Sequence, residues 1–273
     1  MLWTCLWLFN WICLLVGWLV FPAILFKIAV GAERFKASQD WLFAFLTEYT
    51  MKEDERAMLR TTKLELFSSL KDLKSADPEL LKKKALNILE IGVGTGQNLE
   101  FYPPGSKLTC IDPNKSFEVY FRRECEQKAA HLDPNIRFVV ERGESMPSVA
   151  DGSVDVVVIS LVLCSVPDLD QMFREIRRVL VPGGKFYFLE HSTHRPGTWR
   201  HWVQEAVTNC GLWPFLMDGC VLNKDPAPAL ENGGFSDLEH HTVMVVDNQM
   251  KPASATPKGV ALLNPFCYGV ATK

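Results

Sequence analysis

The chain has 273 residues, a formal net charge of −3 and a pI near 6.1. Charges of both signs are mixed along it, which excludes a polybasic protein or an acidic tail and gives no electrostatic footing for nucleic acid. Its eight cysteines include no Cys-x-x-Cys pair, so neither a zinc ribbon nor a thioredoxin-like motif is expected, and a reduced, cytosol-facing domain is the simpler reading.

Leu2 to Phe26 carries no charged residue and is dominated by Trp, Leu, Phe, Val and Ile. An apolar run of about 20 residues is long enough to cross a bilayer as a helix. Residues 1–30 are therefore expected to form a membrane anchor. Met1–Asn10 lacks the basic residues of a cleaved signal peptide. The first positive charges, Lys27, Arg34 and Lys36, follow the run and place its C-terminal side in the cytosol. The segment either spans the bilayer or dips in and returns; the apolar patch Trp41–Leu46 would suit the second arrangement by lying in the interface.

Residues 31–84 read as a linker with amphipathic helices. Over 51–75, Leu59, Leu66, Phe67, Leu70 and Leu73 share one side, with charged residues between them. From residue 85 the pattern changes to short strand-like runs: 85–91, 107–112, 136–140, 154–160 and 185–190. An amphipathic helix with Leu169, Met172, Phe173, Ile176, Val179 and Leu180 on one face precedes the fifth run and is stopped by Pro182-Gly183-Gly184. Two last runs, 238–246 and 265–272, have no helix-length segment between them and are expected to pair antiparallel at the sheet edge. The expected domain over 85–273 is α/β and Rossmann-like, with a mostly parallel seven-stranded sheet and helices on both faces.

The sequence Glu90-Ile91-Gly92-Val93-Gly94-Thr95-Gly96 ends the first strand. Glycines there allow a sharp turn and a close backbone approach to a ligand, and a helix whose N-terminal amides face the site is expected to follow. The dinucleotide fingerprint Gly-x-Gly-x-x-Gly fails at Gln97. An acid, Glu90, precedes the glycines, and the second strand ends in Asp112, where a carboxylate can accept bonds from ribose hydroxyls.

These residues resemble the class I S-adenosylmethionine (SAM) methyltransferases. The resemblance continues at Gly143-Glu144-Ser145-Met146, at 151–157 and at 177–184. It implies that Glu90, Gly92, Gly94, Gly96 and Asp112 cradle the cofactor. It further implies that Glu144, Ser145 and Met146 border its adenine, with Ser160 completing the set. More narrowly, LEIGVGTGQNLEFYPPGSKLTCIDPN, SVDVVVISLVLCSVPD, RRVLVPGGKFYFLEH and the later MDGC resemble the membrane-associated alkyl thiol S-methyltransferases. That resemblance implies residence at the endoplasmic reticulum membrane or lipid droplets, contact with membrane lipid, and methyl transfer to small apolar thiols.

Transfer from a sulfonium is an in-line displacement that needs alignment more than a strong base. A thiol is already a few per cent thiolate at neutral pH. The segment after the fourth strand, Leu161–Pro167, is largely apolar and favours an apolar acceptor over a nucleobase. A quinone, sterol or phospholipid headgroup is the competing acceptor class. His191, after the fifth strand, is either a base assisting the thiol or a structural histidine. Asp218 is either a turn residue or an acid of the substrate pocket. Trp199, Trp202 and Trp213 form a lid, an interfacial patch or core. His191 and His194 with Cys210 or Cys220 match no familiar ligand spacing, so no metal is expected.

Overall fold

The computed structural model describes Gly17 and residues 25–246, 249–252 and 261–273. Most of the apolar run assigned to the anchor therefore lies outside the described residues. Among the described residues no helix is long and apolar enough to cross a membrane. The chain divides into two compact units between Leu42 and Phe43. In the first, Leu25, Phe26, Ile28, Trp41 and Leu42 are exposed.

The second unit is built on β1 (Asn87–Ile91), whose Ile88, Leu89, Glu90 and Ile91 are all buried. A strand buried on both faces belongs in the middle of a parallel sheet. Its neighbours are β2 (Lys107–Ile111) on one side and β4 (Val154–Ser160) on the other, both parallel to it. β3 (Arg137–Val139) pairs with β2, and β5 (Leu180–His191) with β4, again in parallel. Crossovers supply the helices, α4 (Glu118–Lys128) between β2 and β3 and α5 (Leu169–Val179) between β4 and β5. α1 (Ala32–Leu46), α2 (Lys52–Leu66) and α3 (Pro78–Lys83) precede β1.

Strand alternation divides the core in two. Val156 and Val158 of β4 point into a cluster with Leu59, Phe67, Leu70, Phe121 and Tyr187. Val157 and Ile159 point into the other cluster, against Met172, Phe173, Ile176 and Val179 of α5. Asp168 caps α5 by accepting from the Gln171 amide. The helix stops at Val179 rather than Leu180. The strand then begins at once and carries Pro182-Gly183-Gly184 as a bulge, where the β4–β5 pairing jumps between Val154 and Val156. The long helix expected over 51–75 ends at Leu66 and tightens into a 3₁₀ turn over Phe67–Asp72.

The sheet has eight strands, not seven, in the order β3-β2-β1-β4-β5-β8-β6-β7. β6 (Asp237–Val246) and β8 (Phe266–Thr272) pair antiparallel as expected. β8 inserts between β5 and β6, and the chain leaving β6 folds back as β7 (Gln249–Pro252) on the outer edge. That four-residue strand holds Pro252, which an edge tolerates, and lacks the apolar run by which a strand is recognised.

Candidate active site

Strand order reverses between β1 and β4, and in open α/β sheets the crevice outside the C-terminal ends of such strands is where ligands bind. The glycine loop leaves β1 there. Gly92, Gly94 and Gly96 all have left-handed φ, +69°, +53° and +86°. A Cβ on Gly92 would lie 2.3 Å from Val162 Cγ2, whereas one on Gly94 would meet nothing within 4 Å. Gly92 is thus glycine because the segment after β4 packs on it. Gly94 faces open space.

The helix expected after the glycines does not form. The chain makes turns and one 3₁₀ turn, Leu99–Phe101, halted by Pro103-Pro104. This tight path serves Glu90. Its two carboxylate oxygens accept from Asn98 Nδ2 at 2.8 Å and from the Tyr102 hydroxyl at 2.7 Å. Asn98 Nδ2 also reaches Ser160 Oγ at 3.2 Å, tying the loop to the end of β4. Burial pushes the Glu90 carboxyl up to about 7, against the lowering effect of those two donors. Asp112, just past β2, accepts from the amides of Gly94 and Asn114, both at 2.9 Å. Thr95 Oγ1, Gln97 Oε1 and Asn98 Oδ1 are buried and have no hydrogen-bond partner. A cradle with unsatisfied polar atoms and an open glycine fits a polar ligand.

Of the loop after β3, Glu144 pairs with Arg142 at 3.2 Å, and Ser145 is exposed. Met146 is fully buried in the core beneath. Its backbone is fixed by Glu175, which accepts from its amide, and by Arg178, which donates to its carbonyl. Met146 thereby positions the loop that carries Glu144 and Ser145.

Beyond Ser160 the chain turns over the glycine loop through Leu161, a non-glycine residue at φ +58°. Glu190 holds this turn, accepting from the amides of Val162 and Leu163 at 2.8 and 2.9 Å. Lys224 donates to the carbonyls of Leu163 and Val166 from the other side. Burial pushes Glu190 up to about 7. The turn delivers Cys164 to His191, the last residue of β5. Asp218 stands half-buried in a left-handed turn with Gly219, and the residue this turn delivers to His191 is Cys220, 3.1 Å from Nε2. Trp213 Nε1 donates to the same sulfur at 3.4 Å, while Trp199 and Trp202 are exposed. A hydrogen bond from Cys164 draws the Cys220 thiol below its ordinary range. His194 lies apart from this cluster, its Nε2 3.3 Å from the Ala261 carbonyl.

The methyltransferase domain family matches residues 89–188, which contain the glycine loop, Asp112 and the β4 turn. Human thiol S-methyltransferase TMT1A is 40% identical over 233 residues, 85% of this chain and 86% of that protein. Human thiol S-methyltransferase TMT1B is 37% identical over the same share of each. The chain belongs to the thiol S-methyltransferase family. Membership makes it a SAM-dependent methyltransferase, and the cradle described above fits that cofactor. Two solved structures share the fold. Streptomyces coelicolor geranyl diphosphate C-methyltransferase, in complex with S-adenosyl-L-homocysteine, superposes with a TM-score of 0.52 at 15% identity, over 78% of this chain and 79% of that one. Haemonchus contortus Phospholethanolamine N-methyltransferase 2 gives 0.55 at 15% identity, over 78% and 52%.

Sequence reasoning missed Asn98, Tyr102, Glu190 and Cys164 as site residues. Asn98 and Tyr102 stand where a helix is expected, and Cys164 stands inside the apolar run Leu161–Pro167, where nothing marks it as reactive. For Glu190 the signal is a carboxyl that directly follows the apolar run Phe186–Leu189.

Proposed function

We propose that this protein transfers the methyl group of SAM to the sulfur of a small apolar thiol, with the cofactor in the crevice between β1 and β4. The observation that carries the reading is the continuity of the turn after β4: Ser160 is bonded to the cofactor loop, Val162 packs on Gly92, and Cys164 reaches a sulfur-lined acceptor end.

SAM supplies the activated methyl; the protein's part is to hold, orient and keep out water. Gly94 admits the ligand to the backbone. Asp112 fixes the Gly94 and Asn114 amides, and a carboxylate oxygen accepts more than one hydrogen bond, so it also serves the ribose hydroxyls. Glu90 acts through the loop, since both its oxygens are engaged by Asn98 and Tyr102. Glu144 and Ser145 border the adenine, on a loop that Met146 anchors. His191 contacts sulfur already, and Asp218 serves as the turn that brings Cys220 to it. The apolar turn Leu161–Val166 shapes an acceptor pocket in which a thiol is better matched than a polar amine.

In this reading residues 1–30 anchor the enzyme to the endoplasmic reticulum or lipid droplets, with the catalytic domain in the cytosol. The exposed Leu25, Phe26, Ile28, Trp41 and Leu42 support a lipid-facing N-terminal unit.

The test is methyl transfer from labelled SAM to a simple alkyl thiol by detergent-solubilised protein, with a quinol as competing acceptor and Asp112→Ala as control. Transfer to the thiol, with cofactor affinity in the variant down by roughly 10–100-fold for one lost charge-assisted bond, is expected. Transfer to the quinol alone would overturn the acceptor assignment. Unchanged cofactor affinity in Asp112→Ala would overturn the site.

A further inference from the structure

Three side chains far apart in sequence meet at the acceptor end of the site. The sulfurs of Cys164 and Cys220 and a ring nitrogen of His191 all lie within 4.8 Å of one another. Each arrives by a different route: Cys164 on the turn after β4, His191 as the last residue of β5, and Cys220 on the left-handed turn at Asp218-Gly219. All three are buried. His191 Nε2 faces Cys220 Sγ at 3.1 Å, and its Nδ1 is buried without a hydrogen-bond partner. A buried imidazole held only by sulfur on one nitrogen and by nothing on the other is unusual for a merely structural histidine.

We propose that Cys164, His191 and Cys220 form a zinc site whose open fourth position binds the acceptor thiol as its thiolate. Two cysteines and a histidine with one position left open are a catalytic zinc donor set. Zinc–sulfur bonds of about 2.3 Å in a tetrahedron put sulfurs about 3.8 Å apart, so a cluster of this size closes around the ion with small side-chain movements. Soft thiolate donors select zinc over magnesium or calcium. Trp213, donating to Cys220 Sγ, supplies an outer hydrogen bond of the kind that orients a ligand.

The inference rests on the thiol methyltransferase reading and deepens it. The substrate thiol gives its proton to solvent on binding the ion. Its sulfur then forms a bond to the methyl carbon, and the electron pair of the broken carbon–sulfonium bond returns to the donor's sulfur. The product is a neutral thioether, a weaker ligand than the thiolate, so it leaves. No oxidant or reductant is needed. Cys164 stands on the same turn as Val162, which covers the cofactor loop at Gly92, so one ligand of the ion lies on the segment that lines the cofactor crevice.

The experiment measures metal content and cobalt spectra on the full-length, detergent-solubilised chain. After zinc loading and gel filtration, about one zinc per chain is expected in the parent and in Cys210→Ser, whose thiol is exposed, and loss of it in Cys164→Ser and Cys220→Ser. Cobalt in place of zinc should give a thiolate-to-metal charge-transfer band and visible bands of a tetrahedral site, which shift on adding an alkyl thiol but not its methyl thioether. SAM binding by the variants checks that they fold; if they do not, the parent's cobalt spectrum decides. No stoichiometric metal, a Cys164–Cys220 disulfide in the protein isolated under reducing conditions, or metal retained in both serine variants would overturn the site. A cobalt spectrum blind to the thiol would overturn its role toward substrate. Thiol methylation by a metal-free enzyme would sink this inference and leave the proposed function standing. Bound zinc with a thiol-sensitive cobalt spectrum but no methyl transfer to thiols would leave the metal site standing and overturn the proposed function together with the site's role toward an acceptor.

Discussion

Replacing Gly92 and Gly94 separately by alanine tests two different reasons for being glycine. Both have left-handed φ, so each variant bears about 1–2 kcal/mol of backbone strain. Only at Gly92 does the new methyl collide, 2.3 Å from Val162 Cγ2, which adds about 1–3 kcal/mol of overpacking. Val162 cannot yield freely, because a β-branched side chain has few rotamers and its amide is bonded to Glu190. At about 2–4 °C per kcal/mol for a chain approaching this size, Gly92→Ala should melt roughly 2–12 °C below Gly94→Ala. Trimming Val162 to Ala in the Gly92→Ala background should return most of that difference. Ligand binding should show a separate effect. The methyl of Gly94→Ala enters the space open to a ligand, and a clash of about 1–3 kcal/mol weakens SAM by roughly 5–150-fold. Thermal melts without ligand and titration calorimetry with it read the two effects separately. Gly92→Ala as stable as Gly94→Ala, no rescue by Val162→Ala, or SAM binding by Gly94→Ala equal to the parent's would each refute these two roles.

Asp155 ties the segment before β1 to the sheet by accepting from Ser75 Oγ and from the amides of Ala76 and Asn87, at 2.6–2.8 Å. Asp155→Ala should cost about 3 kcal/mol or more and lower the melting temperature by roughly 6–12 °C; a loss below about 1 kcal/mol would show the hub to be redundant. Glu90 has its pKa raised from 4.5 to about 7 by burial, so the folded state holds its proton more tightly than the unfolded state. Its contribution is therefore fully present below 4.5 and is lost as pH rises through about 7, worth about 3 kcal/mol. Urea unfolding of Glu90→Gln at pH 5 and pH 8 should show a smaller difference than the parent's, with Glu190 supplying the slope that remains; equal differences would remove Glu90 from the titration. Deleting residues 1–30 should move the protein from the membrane pellet to the supernatant, and retention in the pellet would show that other segments hold it.

The features legible along the chain are local ones. Strands β1, β2 and β4 are short apolar runs ended by Gly92, Asp112 and Ser160, and α5 shows its apolar stripe in the spacing of Met172, Phe173, Ile176 and Val179. The glycine loop is also legible, because a tight turn needs its glycines adjacent in the chain. So are Glu90 and Asp112, since strand ends place them. Tertiary structure decided which partners these residues take. Asn98 and Tyr102 reach Glu90 only because the chain after Gly96 stays in tight turns, and Pro103-Pro104 halts it before a helix can form. β7 exists because β6 offers a free edge to a segment with little strand signal of its own. Cys164, His191 and Cys220 lie 27 and 29 residues apart, outside any spacing rule for metal ligands. Parallel pairing of β4 with β5 sets the ends of both strands side by side, and a left-handed turn brings in the third residue. Spacing can reveal ligands that share a turn or a helix; ligands on neighbouring strands are collected by the sheet, whose crossovers can be of any length.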